Sequence, residues 1–532
     1  MAESVGCGDK LYFTAPIKAD KEDVSMECSS RSPFYIEGRG VVGKTITGLF
    51  SSDYEGRKIQ VITDLEMDIN LIDYDFKSSQ IVMTAFKSSR QKPISSSVFT
   101  YDIKTEQMQM FTRGQYRIDA IKSINPETLY FMGVDLDRNN RNDNQQVHRI
   151  NLSSGEVMGH GDFVDMSNER PVVVTDCLFT KGPGDYKTKD RYYFLRVGED
   201  RQLIASIDTS GRTEHIDTGL RAISNFAVIR DRVILLGLKD EGLSEIYCYR
   251  NRELTRITRH NDWLKAYSVS KPQVLEVKVD GILIKGWVCP PHKTEYSEKD
   301  QKKPAVLMIH GGPKMIYSDV FSFDIQLLSA KGYYVLYANP MGSDGRGNAF
   351  ADIRGNFCDL PYKQLMAFVD KALQIYPDID NMRMGVTGGS YGGYMTNHII
   401  TQTDRFRAAV SERGISNMLT ALTSSDIGYK FAVEYSACRC NPWKSTKSFV
   451  DISPIMNVQY VKTPTLFNHG KDDFRCHYTE SLNMYSALSQ LGVETRLCLY
   501  EGENHGLVTC GRPRSKRKRY EELSSWFDKY LK

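Results

Sequence analysis

The chain has no run of about 18 apolar residues, the length a membrane-crossing helix needs, so no membrane span is expected in its 532 residues. It also lacks an excess of charge of one sign. Lysine and arginine number 69 against 66 aspartates and glutamates, a net +3, and neither a nucleic acid nor another polyanion is expected as a partner. The opening "MAESVGCGDKLYF" lacks the basic-then-apolar form of a secretory leader. Its eleven cysteines are odd in number and form no compact framework, which reads as reduced thiols in a cytoplasmic protein. The one close pair, Cys438 and Cys440 in "ACRCNPW", has no second Cys/His pair matched to it. No metal is therefore expected there, and no metal or cofactor is expected elsewhere in the chain.

The length exceeds one ordinary core, so at least two domains are expected. Two rhythms divide the chain. Up to residue 262 it is strand-like, with β-branched and aromatic runs broken by turn residues. One pattern recurs there: an apolar segment, an Asp or Asn, a polar turn, then a short strand. It is seen in "LFSSDYEGRKIQVIT", "VFTYDIKTEQMQMFT", "VHRINLSSGEVMGH", "LIASIDTSGRTEHID" and "EIYCYRNRELTRIT", marked by Asp53, Asp102, Asn151, Asp208 and Asn251. An all-strand repeat of roughly 40 to 50 residues is the signature of a β-propeller, here of about five units over residues 1–262. An array of β-sandwiches is the plainer alternative.

Over residues 263–532 short apolar runs such as "AVLMIH", "GYYVLYAN" and "TPTLFNHG" alternate with helix-like stretches such as "KQLMAFVDKALQIY". Strands without polar interruption are buried on both faces, and their alternation with helices implies an α/β domain with a mostly parallel sheet.

This half carries the chemistry. "VTGGSYGG" fits G-x-S-x-G at Gly388, Ser390 and Gly392 between a strand and a helix, the context of a nucleophile elbow. A Gly-rich turn that binds nothing is the bland reading. A serine nucleophile needs a base, and the base needs an orienting acid, in the chain order Ser, acid, His. "TPTLFNHGKDDFRC" places Asp472 and Asp473 after a buried strand, and "LCLYEGENHGL" places His505 after the next. An oxyanion hole needs two N–H donors. Tyr391, next after the serine, offers one, and the loop "HGGP" with Gly311 and Gly312 offers the other. His310 stands outside the required order and reads as a loop-fixing residue.

Together "IHGGP", "NPMGSDGRG", "GGSYGGYMT", "SPIMNVQYVKTPTLFNHGKDDFRC" and "YEGENHGL", behind a strand repeat, resemble the prolyl oligopeptidase family of serine peptidases, with greater likeness to its acylaminoacyl-peptidase-like branch. The resemblance implies an α/β-hydrolase catalytic domain preceded by a β-propeller, and a short peptide as substrate. It implies Ser390 as nucleophile and His505 as base. The family's acid stands three residues after the glycine of its H-G-x-x-D motif, which selects Asp473 over Asp472. It implies Gly312 and Tyr391 as the oxyanion donors. A homo-oligomer is left open.

The sequence also departs from the family. Met341 replaces the usual Arg of N-x-R-G-S, Pro361 and Gln364 stand where acidic residues are usual, and Cys476-His477 replaces V-P. Loss of both signs suggests one missing ion pair. The propeller is shorter than the branch usually has. The Glu-Glu pair that holds a free amine in the dipeptidyl-peptidase-IV type is absent from the first half, the chain's one such pair being Glu521-Glu522. The basic run at residues 512–520 reads as a solvated helix face. An esterase of the same fold and an inactive binding protein are the competing readings.

Overall fold

The computed structural model describes residues 4–7, 9–17, 29, 31–42, 45–64, 66–75, 79–160, 173–178, 184–240, 242–292, 302–435 and 442–532. Cys438 and Cys440 lie outside the described residues. The chain divides into two compact units. One comprises Met1–Glu169, Asp185–Arg196 and Ile204–Ile216; the other comprises Arg170–Gly184, Val197–Leu203 and Asp217–Lys532.

Up to Arg256 the described elements are strands, grouped in one two-stranded pair, Tyr35–Ile36 with Gly40–Val41, and five successive four-stranded sheets. The second, for example, runs Met67–Asp75, Gln80–Lys87, Ser97–Asp102 and Gln107–Met110, and the third Tyr116–Asn125, Thr128–Asp135, Gln146–Asn151 and Val157–His160. The recurring Asp or Asn stands at the turn between the third and fourth strand of each sheet. Asp53 Oδ1 accepts from the Arg57 N–H at 2.7 Å, and Asp102 Oδ1 from Lys104 and Thr105 at 2.9 Å. Asn151 Oδ1 accepts from Ser153 at 2.9 Å, and Asp208 Oδ1 from Ser210 at 2.9 Å. In the fifth sheet Asn251 takes the left-handed conformation itself, φ 51°. At Asp102, Asn151 and Asp208 these are Asx turns, in which a short polar side chain bonds the backbone two residues ahead and closes the hairpin.

In the second unit one eight-stranded sheet organises the residues from Gln273 on. Its strands are β1 (Gln273–Val279), β2 (Ile282–Cys289), β3 (Lys303–Ile309), β4 (Tyr334–Asn339), β5 (Ile379–Gly389), β6 (Ala408–Glu412), β7 (Thr465–Gly470) and β8 (Thr495–Tyr500). They lie in the order β1-β2-β4-β3-β5-β6-β7-β8. The two pairings that involve β2 are antiparallel and the rest are parallel. Helices of this unit include α1 (Phe323–Ala330), α2 (Asp359–Ile375), α3 (Tyr391–Gln402), α4 (Thr479–Gln490) and α5 (Pro513–Leu531).

Strand β3 shows why these runs carry no polar alternation. Ala305, Leu307 and Ile309 enter one apolar cluster with Phe368 of α2 and Met395 of α3, while Val306 and Met308 enter another with Leu328 of α1 and Phe527 of α5. Successive side chains point to opposite faces, and helices cover both. Among the described residues no helix is long and apolar enough to cross a membrane.

The basic run at the start of α5 is not a uniform solvated face. Arg517 and Lys518 pair with Glu521 on the surface, but Arg519 is buried between two carboxylates. It donates to Asp324 at 2.7 and 3.0 Å and to Glu412 at 2.5 and 2.6 Å. The run therefore ties α5 to α1 and to the end of β6.

Candidate active site

Parallel strands deliver their ends to one edge of the sheet, and the loops after β3, β5, β6, β7 and β8 carry the polar groups of the site. Ser390 lies between β5 and α3 with φ 61° and ψ −119°, a conformation side chains rarely adopt and which costs about 1–3 kcal/mol. The Ser390 N–H donates to the Glu412 carbonyl at 3.0 Å, and the Ser390 carbonyl accepts from Tyr394 at 2.9 Å.

The surrounding glycines answer a need for space. A Cβ at Gly392 would stand 2.1 Å from the Ile309 carbonyl oxygen, one at Gly388 2.6 Å from the same atom, and one at Gly393 2.5 Å from the Glu412 carbonyl oxygen. Ser390, flanked by them, is the residue that takes the positive φ. The glycines let β5 and α3 close onto β3 and β6, and that packing holds the serine strained.

Ser390, His505 and Asp473 come together in one hydrogen-bonded series. His505 Nε2 lies 3.0 Å from Ser390 Oγ, and His505 Nδ1 lies 2.7 Å from Asp473 Oδ2. With Nδ1–H donating to the carboxylate, Nε2 is left as the acceptor for the serine hydroxyl. Asp473 is fully buried, whereas Asp472 is exposed. Asp473 Oδ1 accepts from the Arg475 N–H at 3.0 Å and the Cys476 N–H at 2.8 Å. Burial alone would raise its carboxyl. The adjacent His505, and then His469, more than offset this and hold it well below the usual carboxylate range. Burial lowers His505 below its ordinary 6.5, opposed by Asp473 and assisted by the positive charge of Arg413.

Two residues of this cluster escape the sequence reading. His469, fully buried, holds Nε2 2.7 Å from the Cys476 carbonyl and 3.3 Å from Asp473 Oδ2, while Nδ1 lies 2.7 Å from Ser481 Oγ. Arg413, directly after β6, donates from Nε to the His505 carbonyl at 3.0 Å. His469 is the histidine of the H-G-x-x-D motif that selects Asp473, while Arg413 carries no signal beyond following a buried strand.

The loop after β3 approaches from the other side. A Cβ at Gly311 would lie 3.1 Å from the Gly389 carbonyl oxygen and 3.3 Å from Ser390 Cβ. Gly312 has φ 117°, a conformation that favours glycine. His310 is buried, with Nδ1 2.8 Å from the Gly311 carbonyl and Nε2 2.9 Å from Ser343 Oγ, so it fixes this loop. Tyr391 opens α3, where a helix N–H has no intrahelical acceptor. Its hydroxyl donates to the Phe357 carbonyl at 2.8 Å. The positions that depart from the family pattern meet one another: the Met341 N–H donates to Gln364 Oε1 at 2.8 Å. Gln364 is fully buried, and its Nε2 makes no hydrogen bond.

Residues 319–532 match the model of the prolyl oligopeptidase family. The uncharacterized peptidase YuxL of Bacillus subtilis is 36% identical over 355 residues, which cover 65% of this chain and 53% of the relative. The acylamino-acid-releasing enzyme of Arabidopsis thaliana is 31% identical over 244 residues, 44% of this chain and 31% of that one. The aligned regions thus span about half, or less, of these relatives' own length. Among solved structures, the acylaminoacyl peptidase of Pyrococcus horikoshii superposes with a TM-score of 0.84 at 25% identity, over 98% of this chain and 80% of that one. Residues 319–532 thus carry the pattern of the prolyl oligopeptidase family, and nearly the whole chain is similar in fold to an acylaminoacyl peptidase.

Proposed function

We propose that the protein is a serine peptidase that hydrolyses short peptides through an acyl-enzyme. The observation that carries this reading is the continuous series from Asp473 through His505 to Ser390, with spacings of 2.7 and 3.0 Å. His505 Nε2 takes the Ser390 proton as Oγ attacks the scissile carbonyl carbon. The oxygen that becomes negative is received by the N–H groups of Tyr391 and Gly312. His505 then gives its proton to the leaving amine, and the C–N bond breaks. Water repeats the sequence on the ester and frees the acid. Asp473 stays ionised throughout, holding the imidazole tautomer and stabilising the imidazolium.

The five sheets up to Arg256 are read as blades of a short propeller, with residues 1–262 as that domain and 263–532 as the catalytic domain. This reading is supported by the likeness to the acylaminoacyl peptidase of Pyrococcus horikoshii. Among peptides, those with a blocked amino terminus are favoured, in line with the relatives named acylamino-acid-releasing enzyme.

A fluorophosphonate probe on the full chain is the test. Labelling is expected at Ser390 and absent in Ser390→Ala; a folded protein that stays unlabelled overturns the reading. A matched panel of acetylated aminoacyl, free-amine dipeptidyl and simple ester substrates then separates peptidase from esterase through kcat/KM.

A further inference from the structure

Among the described residues one trio of metal-ligating side chains gathers outside the series from Asp473 to Ser390. The ligand atoms of Cys358, Asp359 and His398 all lie within 4.8 Å of one another. Cys358 Sγ is 3.7 Å from Asp359 Oδ1, and His398 Nε2 is 3.9 Å from the same oxygen. Cys358 and Asp359 stand at the start of α2, and His398 lies on α3. Eight residues along that helix from Ser390, His398 is about 12 Å from the serine along the helix axis.

The departures from a merely structural cluster are specific. Cys358 is 5% exposed and His398 8%, while the Asp359 side chain is 73% exposed. His398 Nε2 is buried and makes no hydrogen bond. Buried polar atoms in native interiors have a partner almost without exception, so this nitrogen faces a group that completes it. It faces a thiol and a carboxylate, both of them metal ligands.

We propose that Cys358, Asp359 and His398 bind a zinc-class divalent cation that fastens the start of α2 to the helix carrying Ser390. The donor set selects the ion. Magnesium and calcium take oxygen ligands, whereas one sulfur, one imidazole nitrogen and one carboxylate oxygen suit zinc or cobalt. Charge points the same way. A thiolate and a carboxylate supply two negative charges and a neutral imidazole none, so a divalent ion leaves the partly buried site neutral. A tetrahedral ion with bonds of about 2.3 Å to sulfur and about 2.0 Å to nitrogen and oxygen spaces its ligand atoms by about 3.3 to 3.5 Å. The observed sulfur-to-oxygen and nitrogen-to-oxygen separations of 3.7 and 3.9 Å need to close by about 0.2 and about 0.6 Å, and the sulfur-to-nitrogen separation lies within 4.8 Å. The fourth position is left for water, on the side where Asp359 meets solvent.

Binding releases the thiol proton, and the ion gains a bond to each of three side chains. Its structural consequence reaches the reaction site through one residue. Phe357, immediately before Cys358, accepts the Tyr391 hydroxyl at 2.8 Å. Fixing Cys358 to α3 therefore also fixes the loop on which Tyr391 rests.

Cobalt(II) titration of the full chain under reducing conditions is the test. One equivalent is expected to bring up a sulfur-to-cobalt charge-transfer band with intense tetrahedral visible bands, both abolished by zinc. Cys358→Ser should lose the charge-transfer band. Asp359→Asn, at a largely exposed side chain where folding is not at issue, should weaken cobalt binding at least about tenfold. Zinc should raise the melting temperature of the parent and leave that of Cys358→Ser unchanged. Absence of a thiolate band at one equivalent overturns the proposal. So does a band that persists in Cys358→Ser, which would place the metal on other cysteines, or an Asp359→Asn protein that binds as tightly as the parent.

Discussion

Arg413 Nε donates to the main-chain carbonyl of His505 at 3.0 Å, joining the end of β6 to the loop after β8. The same guanidinium lies over Gly389, where a Cβ would stand 2.4 Å from its Nη1. One side chain thus holds the backbone of His505 and covers the residue before Ser390. Arg413→Met removes this tie while keeping most of the stem. Displacing a reacting group by about 1 Å can cost about 100-fold, so kcat/KM should fall by about that factor while the protein stays folded. The positive charge also helps depress His505. Without it the imidazole titrates at higher pH, and the acid limb of the kcat/KM profile should move upward. A merely structural role for Arg413 would leave that limb in place.

The parent profile follows from the same balance. His505 acts as a base only when neutral, and burial holds its folded value below 6.5. Activity should therefore rise through a midpoint below pH 6.5 and level off above it. Asp473→Asn removes the charge that favours the imidazolium. The midpoint should fall further, and kcat should drop by about 10⁴-fold because the amide no longer holds the tautomer. Steady-state kinetics across pH on both proteins reads the two effects separately.

Some of these residues are legible in the sequence and others are not, for physical reasons. Ser390, Asp473 and His505 are legible because each has a chemical identity and a fixed place after a strand, in a required order. The repeat marked by Asp53, Asp102, Asn151 and Asp208 is legible because the side-chain bond that closes each turn is local, reaching a backbone two to four residues on. Arg413 is not, since its partner is 92 residues away and depends on how β6, β7 and β8 are ordered. Arg519 reads with its basic neighbours as surface, whereas its position on α5 turns it inward to Asp324 and Glu412. Met341 and Gln364 stand out in the sequence as two separate departures, and the structure brings them into one hydrogen bond.

Crowding, rather than backbone conformation, fixes the glycines around Ser390, and two substitutions separate the causes. In Gly392→Ala the new methyl would press on the Ile309 carbonyl, an atom of the central sheet that has no room to yield. A cost of about 3 kcal/mol or more is expected. Gly492 has φ 76° and nothing within 4 Å of an added Cβ, so Gly492→Ala should cost about 1 kcal/mol, from conformation alone. Equal losses in urea denaturation of the two variants would refute the crowding account.

Arg519 stands between Asp324 and Glu412, and the Glu412 carbonyl in turn receives the Ser390 N–H. In Arg519→Met the volume is kept, but two buried carboxylates lose their common partner. Breaking a buried ion pair from one side costs about 3–5 kcal/mol, so the melting temperature should drop by roughly 10 °C. Adding Asp324→Asn and Glu412→Gln to Arg519→Met removes the stranded charges and should restore more than half of that loss. Calorimetry of the single and triple variants decides between charge and packing. If the triple variant is no more stable than Arg519→Met alone, the loss comes from the missing contacts of the arginine stem, and the ion pairs contribute little.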